Sequence, residues 1–452
     1  MAARPDPALA AAALPPRPTR GQSWRALRHP NYRLYFCGQA VSLLGTWIQQ
    51  VALAWLIYRL TGSTLLLGTV AFLSQAPQLL IAPFAGIVID RSDRKRLMLV
   101  VQSLMLAQSV FLALFTGLGW IAPWQILAAA LTLGVLNSFD APLRHSLVGQ
   151  LVSERDDLPN AIALNATIFN VARFVGPPVA GLVLGLTSEA VCFALNGLSF
   201  LAVILALRRI RIAPQETATT PFGSALREGL AYVRASVPVS RLLQQVALLN
   251  FLAASYVPLM PAFARDVFQG GPDTLGLLLG SAGAGALGAS LYLMTRSSVR
   301  GLTGSIAGGN LLAALALLAF ALADTLWLAL PMLFLLGFGV ITGNASTNTI
   351  LQTILPGTLR GRVLALYTAA NLGAAAVGGL VAGWAAEHVG PGRTLFVLGG
   401  LLLLAALRFR GRLESLRVHL RPLYAALGIT RRDADQLCAS SCAIWVSTAW
   451  LM

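Results

Sequence analysis

The sequence predicts an all-α integral membrane protein with twelve transmembrane helices in two six-helix bundles. Three observations carry this. The 452 residues are 56% hydrophobic and only 11% charged, against about 25% charged in an ordinary soluble domain. A soluble fold of this length would lack the polar surface to cover itself. The apolar residues fall in runs near the ~20 residues that a spanning helix needs. The cations fall in the gaps between those runs, and cation-rich gaps alternate with cation-poor ones.

Residues 1–30 are rich in Pro, Ala and Arg and read as an N-terminal tail. Their only apolar stretch, Leu9 to Leu14, is too short for the core of a signal peptide. Spans of the first bundle (31–208) are expected near 35–58, 64–89, 97–118, 124–147, 161–186 and 190–207. A polar linker, 209–241, follows. Within it Phe222, Leu226, Leu230, Val233 and Val237 recur at helical spacing with Arg227, Glu228 and Arg234 off that face, the pattern of an amphipathic helix on a membrane surface. The second bundle (242–408) offers spans near 242–263, 275–294, 303–323, 326–352, 363–386 and 394–407. Its last span is short and flanked by Arg393 and Arg408. The tail 409–452 opens with Arg-rich amphipathic sequence and ends in CASSCAIWVSTAWLM, which is too short to span.

Charge orients these elements. Of the 33 cationic residues, 29 lie in the tails and in the gaps, span ends included, on the side of both termini. Only Arg59, Arg265 and Arg393 lie on the other side, and Arg173 lies in the middle of a span. The positive-inside rule then places both termini in the cytosol. Trp120, Trp124 and Trp327 fall at opposite span ends, where an aromatic belt is expected.

The same distribution excludes other classes. A net charge of +16 could suggest nucleic acid, but such a footprint gathers on one face, and here the cations are topology signals. Four cysteines make no disulfide framework, and Cys438 and Cys442 are expected as free thiols. The sequence has no phosphate loop, no metal-ligand spacing and no nucleophile–base set. Neither an enzyme nor a cofactor is expected.

Two strings repeat. LVGQLVSERDDLPNAIALN precedes span five and ILQTILPGTLRGRVLALY precedes span eleven, about 200 residues later, as two homologous halves require. The gap after span two reads GIVIDRSDRKR. It resembles the major facilitator superfamily signature G-x-x-x-D-[RK]-x-G-[RK]-[RK], with Asp93 where the signature has glycine. The resemblance implies an inner gate of Gly86, Asp90, Arg91, Arg94 and Lys95, to which Arg360 and Arg362 of RGRVLALY add the second half. The string ending span four, the start of span five and NYRLYFCGQAVSLLGTWIQQVALAWLIYRLTGS in span one resemble the enterobactin-exporter and macrolide-efflux branch, over residues 24–408. Gly176, Pro177 and Gly181 resemble the antiporter signature of helix five, with Ala172 and Ala180 at two of its glycine positions.

Ionisable groups inside a membrane are costly and mark function. Asp140 lies four residues before Arg144, on one helical face, and Arg173 lies in span five. These three are the candidates for proton coupling. By the resemblance, an acid in helix four can instead join Asp90 and Arg94 in the inner gate. Gln39, Ser42, Thr46 and Gln49 form a stripe along span one. With Gln78, Asn250, Asn344, Asn348, Tyr367 and Asn371 they are candidates to line a substrate cavity, or else to hydrogen-bond between helices. Gly276, Gly280, Gly283 and Gly288 read as packing contacts. The resemblance implies a multi-pass protein of a bacterial inner membrane. It would export siderophores, macrolides or other amphipathic small molecules by alternating access in exchange for protons, as a monomer in contact with lipid. An uncoupled facilitator or lipid-type flippase, and more distantly a membrane-embedded sensor, are the alternatives.

Overall fold

The computed structural model describes residues 24–152, 154–210, 222–296 and 299–426. Among them there is no strand. Twelve helical segments are long and apolar enough to cross a membrane. The first six are α1 (Pro30–Thr61), α2 (Thr64–Asp90), α3 (Arg94–Gly117), α4 (Pro123–Leu151), α5 (Leu158–Leu186) and α6 (Glu189–Arg209). After the short helix α7 (Phe222–Ala235) come α8 (Val237–Ala253), α9 (Tyr256–Ala262), α10 (Pro272–Met294), α11 (Leu302–Ala321), α12 (Leu326–Ile354), α13 (Gly357–Val389), α14 (Pro391–Gly411) and α15 (Leu413–Ala426). The linker residues 211–221 and the tail residues 427–452, with Cys438 and Cys442, lie outside the described residues.

Local chemistry sets the ends. Prolines begin α1, α4, α10 and α14, where the missing N–H costs nothing and φ is already helical. Gly62 closes α1 with φ +63°, a conformation that favours glycine. Asp93 caps α3: its carboxylate accepts from the N–H groups of Lys95 (2.9 Å) and Arg96 (3.1 Å). The departure from the signature at this position is therefore a helix cap.

The seventh span, expected as one helix over 242–263, is broken. Its α8 ends at Ala253, α9 begins at Tyr256, and a single π turn, Phe263–Val267, follows. Proline explains the break: the ring of Pro258 clashes with a carbonyl four residues earlier, at Ala254, and supplies no N–H to it. The chain instead closes a tighter turn, Val257 N–H to the Ala254 carbonyl at 3.2 Å. The last span, expected over 394–407, runs to Gly411 and begins at Pro391.

The two halves pack alike. In the first, α1 lies on α5 and α6, α3 on α4 and α6, and α2 on α4; in the second, α8 lies on α13 and α14, α11 on α12 and α14, and α10 on α12. The halves meet along α2–α13 and α5–α10. This is the major facilitator architecture of two six-helix bundles. The correspondence extends to the approach of each bundle. Arg25 and His29, ahead of α1, bind Asp157 before α5 (3.0 and 3.1 Å). Glu228 of α7, ahead of α8, binds Arg362 of α13.

Call the end carrying both described termini the terminal end and the other the distal end. Exposed Trp120, Trp124 and Trp327 ring the distal end, as an interfacial belt would. The buried core is divided unequally. One apolar cluster fills the distal half and runs through both bundles, joining Trp55 and Leu67 to Leu259, Phe263, Leu275 and Ala382. In the terminal half each bundle has a cluster of its own, Tyr32 to Ile210 in the first and Val239 to Tyr424 in the second. The bundles are fused at one end and parted at the other.

Candidate functional site

Three ties close the distal end. Backbones touch where small residues face each other. A Cβ on Gly68 of α2 would stand 2.6 Å from the Gly379 carbonyl and 3.2 Å from Gly383 Cα. One on Gly276 of α10 would stand 2.9 Å from Gly181 Cα and from the Pro177 carbonyl of α5. Second, the Glu387 carboxylate of α13 crosses to the first turn of α2. It accepts from Thr64 N–H (2.7 Å), Leu65 N–H (3.1 Å), Thr64 Oγ1 (3.0 Å) and Ser63 Oγ (3.1 Å). An anion at a helix N-terminus meets both unsatisfied donors and the positive end of the dipole. Third, the Tyr58 hydroxyl of α1 binds Asp266 of the π turn, and Arg265 stands over the Tyr58 ring at 6.0 Å.

Among the described residues these contacts thin toward the terminal end. Leu79 of α2 still meets Gly373 of α13, but a Cβ on Gly86, Gly357 or Gly361 would meet nothing within 4 Å. Phe84 and Leu80 of α2 are exposed. The signature residues lie on this open side. Lys95 donates to the Ile210 carbonyl at the end of α6 (2.6 Å), and Arg91 is exposed. Arg94 opens α3, and the Asp90 side chain lies outside the described residues. Arg360 is exposed, and Arg362 is engaged by Glu228. Arg91 and Arg360 thus lie exposed toward the terminal end, one on each half.

The polar stripe of α1 divides. Gln49 is buried and turned into the first bundle: its amide donates to Gln108 Oε1 (3.0 Å), and its carbonyl accepts from Ser109 (2.6 Å) and Asn196 (2.7 Å). Ser42 and Gln39 are buried as well. Thr46 is half-buried and Gln50, which the spacing argument passed over, is exposed. In the second bundle Asn250 and Asn344 exchange amide hydrogen bonds (2.9 and 3.2 Å), and Tyr367 donates to the Asn344 carbonyl (2.9 Å). Asn348 and Asn371 are buried, and Asn348 accepts from Gln352 (3.2 Å). Gln78 is half-buried, with its amide on the Ser74 carbonyl (3.3 Å). Gln49, Asn250, Asn344 and Tyr367 join helices within a bundle; Thr46 and Gln78 are among those that stay partly open.

Asp140 is 1% exposed and is held from two sides, by Arg144 one turn later and by Gln102 of α3 at 2.8 Å. His145 is partly exposed beside this pair. Arg173 is the sixteenth of the 29 residues of α5. The apolar residues Val171, Leu182 and Leu186 are exposed, and each stands about half a turn round the helix from Arg173. Its backbone packs on Gly283 of α10, and Gly176 one turn later packs on Trp47 of α1. Arg173 thus lies on the part of α5 that packs near α1 and α10.

Sequence reasoning did not single out Glu387, Tyr58 or Asp266. Glu387 reads there as a polar residue closing an apolar run, and its partners lie more than 320 positions away. The structure gives it a testable role. In an otherwise cysteine-free chain, Glu387→Gln should speed labelling of a cysteine at Ser255 by an impermeant maleimide added on the distal side. The expected gain is about 5- to 30-fold, the worth of 1–2 kcal/mol of charge-assisted capping. An unchanged rate would remove Glu387 from the closure.

The model of the transmembrane secretion effector family matches residues 21–424. A staphyloferrin A transporter of Staphylococcus aureus is 24% identical over 272 residues, which cover 58% of this chain and 66% of that protein. The chain thus spans just under two thirds of that relative. An enterobactin exporter of Escherichia coli is 28% identical over 407 residues, 84% of this chain and 93% of the relative. The crystal structure of a bacterial homologue of the lysosomal transporter Spinster, inward-facing and unoccupied, superposes with a TM-score of 0.66 at 14% identity, over 89% of this chain and 99% of that one. At that identity the likeness speaks for the fold alone.

Proposed function

The chain belongs to the transmembrane secretion effector family of the major facilitator superfamily, and from that premise we propose that it is a secondary exporter of small amphipathic molecules, driven by proton exchange across a bacterial inner membrane. That it is a multi-pass membrane transporter rather than an enzyme follows from the family and the fold. Direction, drive and cargo are the proposal. The observation that carries it is the division of the core: one apolar cluster ties the bundles at the distal end, and each bundle has its own at the terminal end. A molecule built this way presents a central space to one side of the membrane.

The cation distribution supports the cytosol as that side. Cargo enters between the bundles past Gly86 and Arg91. Release then requires the distal ties to part and the terminal ends to close, with the Asp90–Arg94 loop as inner gate and the second-half cations Arg360 and Arg362 opposite. The Gly181–Gly276 and Pro177 contacts are the surface that must separate, which suits a helix carrying Gly176, Pro177 and Pro178. For coupling, Asp140 and Arg144 supply a buried acid–base pair whose proton affinity depends on how closely the cation is held. Relatives named for siderophore transport and export support the direction. The reading is of a monomer, with cargo, protons and lipid as its partners.

Everted membrane vesicles test it. With a pH gradient, acid inside, they should accumulate labelled enterobactin or a labelled macrolide without ATP, and nigericin should abolish the accumulation. Nigericin-insensitive equilibration would favour the uncoupled facilitator or flippase. Accumulation only in right-side-out vesicles would reverse the direction.

A further inference from the structure

We propose that the second bundle binds one anionic glycerophospholipid in a furrow at the terminal end of α10, α11 and α12. α10 and α11 both pack on α12, and the furrow between them has a volume of about 430 Å³. Glycine shapes it. Gly309 of α11 and Gly339 of α12 bring two backbones together: a Cβ on Gly309 would stand 2.8 Å from the Gly339 carbonyl. Gly308, also in the lining, is exposed, and a Cβ there would meet nothing within 4 Å. Tyr292 of α10 and Phe338 of α12 supply an aromatic wall, with ring centroids 5.7 Å apart. α11 packs on α12 and α14 of its own bundle, so the furrow lies on the side of the molecule that meets lipid.

The mouth of the furrow is cationic. Arg296, just past the end of α10, lays its guanidinium over the Tyr292 ring at 5.6 Å and donates to Ser305 Oγ of α11 at 2.7 Å. A guanidinium has five N–H donors, so this bond aims the fork without using it up. Arg300 is exposed just ahead of α11. Arg417 of α15, which also meets Glu414 at 3.4 Å, reaches over Gly304: a Cβ there would stand 3.7 Å from its guanidinium. Among the described residues no acid lines the furrow, and the positive end of the α11 dipole opens at the same mouth. Deeper in, Thr342 of α12 lines the furrow; it is 3% exposed and its hydroxyl has no partner. Buried hydroxyls are seldom left unbonded. Thr342 packs on Gly309, four residues or about 6 Å deeper than Ser305. Cations at the surface, an unused donor one turn below and apolar walls beside them match the phosphate, ester carbonyl and acyl chain of a glycerophospholipid in order. The Arg296 fork takes the phosphate through parallel N–H bonds, Thr342 donates to an ester carbonyl, and a chain lies over Gly308 between Leu312 and Phe338. Basic pockets between membrane helices hold anionic head groups in this way. A zwitterionic lipid would bring an ammonium to the same arginines, and a soluble phosphate would meet the arginines alone.

Native mass spectrometry of the delipidated full chain in detergent tests this, with palmitoyl-oleoyl phosphatidylglycerol and the phosphatidylcholine of the same chains as probes. The first phosphatidylglycerol should bind at least about 10-fold tighter than the first phosphatidylcholine. Arg296→Gln should weaken phosphatidylglycerol by about 5- to 30-fold and leave phosphatidylcholine nearly unchanged. Arg209→Gln removes an exposed cation at the same end of the first bundle and should change neither. Gly308→Leu fills the furrow and should weaken both lipids by a similar factor, about 10-fold, with the headgroup preference kept. Thr342→Val should weaken both by about 2- to 10-fold and yet raise the Tm of the delipidated chain, because an unbonded hydroxyl leaves the interior. Equal affinities for the two lipids in the unmodified chain overturn the proposal without any variant. Equal losses from Arg296→Gln and Arg209→Gln would reduce the preference to diffuse attraction and overturn the site. Displacement of phosphatidylglycerol by millimolar glycerol phosphate would make the ligand a soluble phosphate and overturn the lipid. None of these outcomes depends on the direction or drive of transport.

Discussion

Asp140→Asn is expected to lower both the stability of the protein and its gradient-driven accumulation, by two separable routes. The stability route is electrostatic. Asp140 is buried against Arg144 and Gln102, and asparagine leaves the arginine without its counter-charge. Breaking one side of a buried pair costs about 3–5 kcal/mol, whereas removing both charges costs far less. Asp140→Asn should therefore fall sharply in yield and thermal stability, and Asp140→Asn/Arg144→Gln should recover most of it. The coupling route is not rescued. Both variants should lose uphill accumulation in everted vesicles, while the double variant keeps downhill exchange within about threefold of the unmodified protein, because an uncoupled carrier still alternates. Full accumulation by the double variant would remove this pair from coupling. Loss of downhill exchange together with accumulation, at restored stability, would move it to the inner gate.

Gly276→Val should nearly abolish turnover with the fold intact. A Cβ there would stand 2.9 Å from Gly181 Cα and from the Pro177 carbonyl. Both are backbone atoms, and cannot swing aside as a side chain tip can. Overpacking of this kind costs about 1–3 kcal/mol, and it is charged to the distal-closed state alone, since α5 and α10 must part there in the other. The population should shift toward the distal-open form by about 5- to 150-fold. Distal labelling of a cysteine at Ser255 should rise accordingly, and transport should fall by two orders of magnitude or nearly so. Normal turnover by this variant would mean that α5 and α10 do not separate during the cycle.

The spans were legible because the length of an apolar run and the sign of its flanks are physical requirements of a bilayer. Asp93 as a cap was legible from its position before a helix, although the resemblance drew notice to it as a missing glycine. The break in the seventh span was signalled by Pro258 and Pro261 but hidden by the unbroken apolar composition around them. The stripe of α1 shows where periodicity stops. Gln49 and Thr46 share a side of the helix, yet Gln49 meets Gln108, Ser109 and Asn196, and only tertiary packing decides which neighbour a face meets. Glu387 is the extreme case, a single acid whose role depends on a helix N-terminus in the other bundle.

The central claim is that this chain alternates between a distal-closed form, described here, and a terminal-closed one. Two spin-label distances in lipid nanodiscs test it most directly: Leu60 to Val389 across the distal end, and Val88 to Gly361 across the terminal end, all four at exposed positions. Each pair should show two populations whose weights move in opposite directions, the distal pair lengthening as the terminal pair shortens, both as pH is varied and on introducing Gly276→Val. Distances that stay single, or that lengthen and shorten together, would contradict it.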